Sequence, residues 1–329
     1  MIWSGCKAFG LMAVALVCCG TVQAQTTRQI TIGLSSSSLG TAGVRVANEL
    51  GLFAAHGIAA KFVIMDSASG TMTALISKSL EVVIAGPSEL VAAQGRGQAV
   101  VAIATTYGGF GPSLVLSKAA AQKVGVAPDA PVPSRLGALD GMLIGSPSAT
   151  SVATIAVRGS AKAEGANVRF TYMGQQVMPA ALESGAIQGY IASAPYWAFP
   201  IIKGAGVPWL IGPKGDFLPN YTPAVTGQLQ VLRSFAEAEP NLIRNLIAVT
   251  AELAHAIDTR SAEVKAVVGK LYPELDAATL DLLFASESIG WQAKPPTAEG
   301  MAHEIAVMKA NGLALPEIDK VDPRAMVYP

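Results

Sequence analysis

Short apolar runs alternate along this chain with longer segments in which apolar residues recur every three or four positions. The short runs are bounded by Gly, Ser or charged residues, which is typical of buried strands, and the longer segments have the period of helices. The pattern predicts strands at residues 30–34, 61–65, 81–85, 99–105, 113–117, 142–145, 168–172, 190–193, 207–211 and 224–231. Strands that alternate with helices indicate a mainly parallel sheet with crossover connections.

One part of this pattern occurs twice. Residues 74–85 read ALISKSLEVVIA and residues 181–192 read ALESGAIQGYIA, so a helix end, a stop of small residues and a buried strand recur. Upstream of each copy, a strand that ends in Ile-Gly is followed by a Ser-rich turn and a helix. Two such units predict an α/β fold of two lobes, each with a mainly parallel sheet flanked by helices, with a ligand cleft between the lobes.

The order of these elements predicts how the chain is divided. Residues 107–112 contain three glycines and a proline and are a candidate crossing between lobes. A loop is predicted at residues 118–133, which contain three prolines. We expect a signal peptide at 1–24, the first part of lobe 1 at 25–112, lobe 2 at 113–223, and a return strand with the C-terminal helices of lobe 1 at 224–329.

The first residues have the features of an export signal. Lys7 precedes an apolar stretch at residues 8–20, and residues 22–24 (VQA) fit a cleavage site, so we expect release into the periplasm. The chain's three cysteines lie in this segment: Cys6, Cys18 and Cys19. The rest of the chain therefore has no disulfide or thiolate chemistry. A lipid anchor at Cys18 or Cys19 is the alternative, although Val17 is larger than the residue expected before such a cysteine.

Charge is sparse and balanced along the chain. The 23 basic and 23 acidic residues give a formal net charge of zero, and only 14% of residues are charged. Such a chain has no concentrated basic surface for nucleic acid. The three histidines are isolated in sequence, and neither a Gly-x-Ser-x-Gly elbow nor a phosphate-binding P-loop occurs. We therefore expect no metal site, no cofactor and no enzymatic activity.

Small polar residues follow the predicted strands of both lobes. In open α/β sheets, ligands bind beyond the carboxyl ends of the strands, where helix N-termini favour anions. We expect the ligand to contact residues of these turns: Ser36, Ser37, Ser38, Ser69, Gly70, Thr71, Gly86, Pro87, Ser88, Ser148, Thr150 and Ser151. The alternative for each serine and threonine is that it only caps a helix.

Aromatic residues near the strand ends add surfaces on which an organic ligand could stack. Tyr107 begins the candidate crossing, and Pro195 and Tyr196 follow the strand of the second repeat. We expect these three residues to contact the ligand, with packing in the core as the alternative for each ring. Cationic candidates are few, and Arg45 and Arg158 are expected on the surface.

Three runs of residues resemble a known family. Residues 46–58 (VANELGLFAAHGI) match the pattern A-x-x-x-G-L-F-x-x-x-G-I, residues 74–86 are similar to A-L-x-x-G-x-x-D-x-x-x-x-G, and residues 139–141 are similar to L-K-G. On these runs the chain resembles the substrate-binding proteins of nitrate/sulfonate/taurine-type ABC importers, which are periplasmic binding proteins with the type II fold.

The resemblance implies a periplasmic receptor that closes on a small anionic organic solute, such as a sulfonate, a taurine-like compound or a carboxylate. Nitrate and pyrimidine precursors also stay open. Its partners would be an ABC permease and the ATPase of that permease, and we expect a monomer. Two alternatives are an enzyme related to the pyrimidine synthases of thiamine biosynthesis and the ligand-binding input of a sensor.

Overall fold

The computed structural model of the protein describes residues 1–3, 27–65, 67–291, 295–311 and 317–329. The predicted signal peptide lies outside the described residues from residue 4 onwards, and so do the three cysteines within it. Within the described ranges, no helix has both the length and the apolar character needed to cross a membrane.

The strands of the described residues form two five-stranded sheets. They are β1 (Arg28–Leu34), β2 (Ile58–Ile64), β3 (Val82–Ala85), β4 (Val100–Gly108), β5 (Ser113–Ser117), β6 (Leu143–Ser146), β7 (Arg169–Tyr172), β8 (Gly189–Ala192), β9 (Gly206–Leu210) and β10 (Val225–Leu232). The sheet of lobe 1 has the order β2-β1-β3-β10-β4, and the sheet of lobe 2 has the order β7-β6-β8-β5-β9.

The two sheets share one topology. In each sheet the first three strands are parallel, and the fourth is antiparallel to both of its neighbours. That fourth strand is always the one that has just crossed from the other lobe: β5 enters lobe 2 and β10 returns to lobe 1. The predicted two-lobed α/β fold with type II topology is therefore confirmed.

Helices cover both faces of each sheet. They are α1 (Leu39–Glu49), α2 (Leu52–Ala55), α3 (Ala68–Ile76), α4 (Pro87–Gly95), α5 (Lys118–Lys123), α6 (Val132–Gly137), α7 (Val152–Ala163), α8 (Met178–Glu183), α9 (Phe199–Ile202), α10 (Arg233–Ala238), α11 (Pro240–Thr259), α12 (Ser261–Leu271), α13 (Ala277–Gly290) and α14 (Ala298–Ala310). Helices on both sides explain why β3 and β8 are buried along their whole length.

The loop predicted at residues 118–133 is wrong in part, because α5 and the start of α6 lie inside it. The hydroxyl of Ser117 accepts a hydrogen bond from the Ala120 amide and caps α5. Pro133 lies in the first turn of α6, where a missing amide hydrogen is tolerated. The prolines therefore lie at the start of this helix and do not prevent it from forming.

The C-terminal helix α14 contacts both lobes. It packs against α4 of lobe 1 and against α7 of lobe 2. Ile155 of α7 belongs to the same buried cluster as Met301 and Ile305 of α14. At the end of α14, the buried Asn311 lies against Gly159 of α7. One helix thus joins the two lobes beside the cleft.

Candidate functional site

The carboxyl ends of strands from both lobes face a cavity of about 70 Å³. Its polar side chains in lobe 1 follow β1 or lie in α1, α4 and β10: Ser35, Ser36, Ser38, Thr41, Glu89 and Thr226. Those in lobe 2 follow β6, β7 and β8: Ser151, Gln175 and Ser193. A single water needs roughly 10–15 Å³ on this measure, so the cavity has the size of a small head group.

A wider space opens outside this cavity, and we call it the vestibule. It has a volume of about 390 Å³ and shares Pro147 with the cavity. Ser67 and Ser69 line it from lobe 1, and Ser148 and Tyr172 line it from lobe 2. The cavity and the vestibule together offer a narrow inner end and a broader outer end to one ligand.

Four helices of at least nine residues, α1, α3, α4 and α7, begin beside the cavity. Several amide groups of their first turns already have protein partners. The Gly70 amide donates to Ser67 Oγ at 3.1 Å, and the Thr154 amide donates to Ser151 Oγ at 3.2 Å. The Leu39 amide donates to the Ala194 carbonyl of lobe 2 at 2.5 Å. These bonds leave fewer amide groups available to an anionic ligand.

Glu89 brings a carboxyl group into the cavity. It lies in the first turn of α4 and is only 3% exposed. The Ser88 hydroxyl donates to its Oε2 at 3.2 Å, and the Thr150 hydroxyl donates to its Oε1 at 3.3 Å. Burial raises the pKa of Glu89 to about 7, against the opposing effect of these donors. Among the described residues that line the cavity and the vestibule, none is lysine, arginine or histidine.

A second buried carboxyl group, that of Glu304, comes from α14. Its two side-chain oxygens have no hydrogen-bond partner among the described residues. Burial, and to a smaller extent the negative charge of Glu89, raise the pKa of Glu304 to about 8. Among the described residues, neither carboxyl group has a cationic partner, so at neutral pH the pair retains at least part of its protons.

The lobes contact each other directly around this cavity. The hydroxyl groups of Ser37 in lobe 1 and Tyr196 in lobe 2 form a hydrogen bond. The bond from Thr150 to Glu89 also joins the lobes. The Ser37 carbonyl in turn accepts a bond from the Tyr272 hydroxyl at 2.8 Å, which fixes the lobe 1 side of this contact. The two bonds between the lobes, Ser37 to Tyr196 and Thr150 to Glu89, exist only while the lobes lie together.

We expect Tyr196→Phe to weaken ligand binding about two- to tenfold, since the variant lacks one hydrogen bond of roughly 0.5–1.5 kcal/mol that the closed form makes. Calorimetric titration of wild type and variant with the same compound checks this. Tyr221→Phe is the matched control, because Tyr221 lies in a turn of lobe 2 outside the cavity. Equal affinities of Tyr196→Phe and wild type would show that this contact does not contribute to closure.

The structure places the residues predicted from the turns in three groups. Ser36, Ser38, Gly86 and Ser151 line the cavity, and Ser69 and Ser148 line the vestibule. Thr150 and Ser88 reach the cavity through Glu89, and Ser37 and Tyr196 bind each other between the lobes. Ser37, Gly70, Thr71, Pro87, Pro195 and Tyr196 are not among the residues lining either space. The Gly70 amide and the Thr71 hydroxyl both bond to Ser67, and Pro87 opens α4.

Tyr107 lies apart from the cavity, in the core of lobe 1. Its hydroxyl donates to Glu287 Oε2 of α13 at 2.7 Å, and both residues are buried. Burial raises the pKa of Glu287 to about 7. Tyr107 therefore packs in the core of lobe 1, which was the alternative to its predicted contact with the ligand.

Six polar residues of the lining were not among the predicted contacts: Ser35, Thr41, Glu89, Gln175, Ser193 and Thr226. Acidic residues are common in the first turn of exposed helices, so the position of Glu89 in the sequence did not indicate a buried residue of the site. The apolar run that follows it in α4, residues 90–93 (LVAA), is the one sequence feature that indicates burial. Gln175 binds the backbone of the facing turn, since its Oε1 accepts a hydrogen bond from the Ser193 amide at 2.6 Å.

Solved structures with the same fold are numerous. A protein from Bordetella bronchiseptica RB50 has 18% sequence identity and a TM-score of 0.74, over 92% of this chain and 95% of that one. The alkanesulfonate-binding protein SsuA from Xanthomonas axonopodis pv. citri, bound to MOPS, has 15% identity and a TM-score of 0.73, over 91% and 98%. The periplasmic nitrate-binding protein NrtA from Synechocystis PCC 6803 has 12% identity and a TM-score of 0.66, over 90% and 86%.

Identities this low show a shared fold. No curated protein matches the sequence. The sequence profile of the NMT1-like family matches residues 23–271, which is most of the chain. The resemblance to the nitrate- and sulfonate-binding proteins is thereby confirmed, and the chain belongs to the NMT1-like family.

Proposed function

We propose that this protein is a periplasmic receptor that captures a small organic solute between its lobes and delivers it to an ABC importer of permease and ATPase. The observation that carries the proposal is the cavity at the facing strand ends, with hydrogen bonds between the lobes around it. The family and the fold shared with sulfonate- and nitrate-binding proteins support this role.

The geometry supports a mechanism of closure on the solute. Serine, threonine and glutamine side chains of both lobes line the cavity, so a bound molecule contacts both lobes only when they lie together. Binding therefore shifts the population towards the closed form, in which the bond between Ser37 and Tyr196 is also made. The permease would then recognise the closed form.

The described lining offers little support for the alternative of a thiamine-pyrimidine-synthase-like enzyme. Such an enzyme needs a cluster of histidine and cysteine in the cleft, and the described residues that line the cavity and the vestibule include neither residue type. Genes for a permease and an ATPase beside the gene for this protein would distinguish a transport component from the input of a sensor.

A thermal-shift screen of the protein without residues 1–24 tests the proposal. The compounds are alkyl sulfonates, taurine, aromatic carboxylates, nitrate and pyrimidines. At about 100 times its dissociation constant, a ligand adds roughly 2.7 kcal/mol to the free energy of unfolding, which raises Tm by about 5 °C or more. A screen in which the protein is folded and no class raises Tm would contradict the proposal. The anionic solute expected from the sequence stays a prediction that the same screen tests.

A further inference from the structure

The protein's own donors hold the Glu89 carboxyl group only loosely inside the cavity. The Ser88 and Thr150 hydroxyls donate to it at long distances of 3.2 and 3.3 Å, and the Ser148 hydroxyl and the backbone amide of Glu89 also favour its charged form. A side chain at position 86 would begin 3.0 Å from Glu89 Oε2, so Gly86 leaves room for this carboxyl group. Because the bonds from Ser88 and Thr150 are long, a donor group that enters the cavity would bind this carboxyl group more strongly.

The charges around Glu89 favour a ligand group that donates hydrogen bonds and disfavour an anionic group. Glu89 itself lies in the first turn of α4, so its charge offsets the positive end of that helix. Glu304 adds a second buried carboxyl group that interacts with it. With no lysine, arginine or histidine among the described residues of the lining, an anionic head group would find no balancing cation, and it would bind only while the Glu89 carboxyl keeps its proton.

We propose that the inner end of the solute is a nitrogen group that donates hydrogen bonds to Glu89, as in an amidine, an amine or an amino-substituted nitrogen ring. This inference rests on the proposed function as a solute receptor. A cavity of about 70 Å³ accommodates the donor group alone, and the vestibule of about 390 Å³ accommodates the rest of the molecule. Hydroxyl groups of Ser67, Ser69 and Ser148 in the vestibule would bind polar atoms of that outer part.

Pairs of molecules with nearly the same shape test the inference on the unaltered protein. Acetamidinium and acetate are one pair, and benzamidinium and benzoate are another, so each pair replaces N–H donors by carboxylate acceptors. Calorimetric titrations at neutral pH measure the affinities. We expect the amidinium member of at least one pair to bind more than about tenfold more tightly than its carboxylate, because charge-assisted bonds to a buried carboxylate are strong.

The variant Glu89→Gln tests whether the preference for the amidinium comes from Glu89. It keeps the shape of the side chain but presents an NH₂ group and loses the negative charge, so amidinium affinity should fall about tenfold or more while carboxylate affinity should not fall. Glu49→Gln is the matched control, since Glu49 is an exposed residue of α1, and it should leave both affinities unchanged.

The outcomes separate this inference from the function on which it rests. If carboxylates or sulfonates bind as tightly as their nitrogen analogues, the receptor proposal stands and the donor inference is wrong. If the amidinium preference persists in Glu89→Gln, the preference does not come from Glu89 and the inference is also wrong. If neither these probes nor any compound of the thermal-shift screen binds, both proposals fall.

Discussion

Replacing Glu304 by glutamine is expected to stabilise the protein above about pH 8 and to reduce the fall of its stability with rising pH. The pKa of Glu304 is raised from 4.5 to about 8 in the folded protein. Below pH 4.5 the carboxyl is protonated in both states, so its contribution is fully present there. As pH rises towards 8, the unfolded state loses this proton and the folded state keeps it, so the free energy of unfolding falls.

The expected size of this effect is large. One group whose pKa is raised this far changes the free energy of unfolding on the order of 5 kcal/mol across the interval, at up to about 1.4 kcal/mol per pH unit. Glu89 and Glu287, whose pKa values are raised to about 7, contribute slopes of the same sign that the variant retains. Glutamine cannot ionise, so the part of the pH dependence that is due to Glu304 disappears in the variant.

Urea unfolding at a series of pH values from about 5 to 8.5 measures the change. Glu299→Gln is the matched control, because Glu299 is an exposed residue of the same helix. We expect its pH profile to follow that of the wild type. An unchanged slope in Glu304→Gln would show that Glu304 is not the buried proton-binding group that the packing of α14 indicates.

Gly159→Ala is expected to destabilise the protein, although the same change in a helix interior usually stabilises it by about 1 kcal/mol. An added Cβ at residue 159 would lie 1.9 Å from Asn311 Oδ1 and 2.3 Å from Tyr221 Cδ1. Asn311 cannot simply rotate away, since it is buried and its Nδ2 donates to the Val307 carbonyl at 2.7 Å. Crowding of this kind costs roughly 1–3 kcal/mol.

Chemical denaturation of Gly159→Ala and of a matched control separates crowding from helix propensity. Gly137→Ala in α6 is the control, because the nearest atom to its added Cβ is the Glu164 carbonyl oxygen at 3.8 Å. We expect the midpoint of Gly137→Ala to stay the same or rise and that of Gly159→Ala to fall. Equal midpoints in the two variants would mean that α14 does not pack tightly on α7.

The sequence predicted most of the fold because both lobes are built from buried strands with an unambiguous apolar pattern. The return strand, predicted at 224–231, is β10 (Val225–Leu232), and its antiparallel insertion follows from the chain's second crossing. The helices α5 and α6 were missed because each has only six residues and the prolines around them indicated a loop.

The site was predicted only in outline. The turns after β1, β3 and β6 surround the cavity because the carboxyl ends of parallel strands meet at one edge of each sheet. The role of Glu89 depends on residues far away in the sequence, namely Thr150 of lobe 2, which donates a hydrogen bond to it, and Glu304 of α14, whose charge interacts with it. No local pattern around position 89 contains those contacts.

A distance measurement across the cleft tests the central claim, capture of a solute by closure of the lobes. Spin labels are attached through Lys61→Cys in β2 and Lys162→Cys at the far end of α7, both exposed positions, in protein without residues 1–24 and therefore without other cysteines. With the tightest-binding compound of the screen, we predict a single narrow distribution at the shorter distance, and without it a broader one that extends to longer distances. Identical distributions in the two samples would contradict closure on a solute.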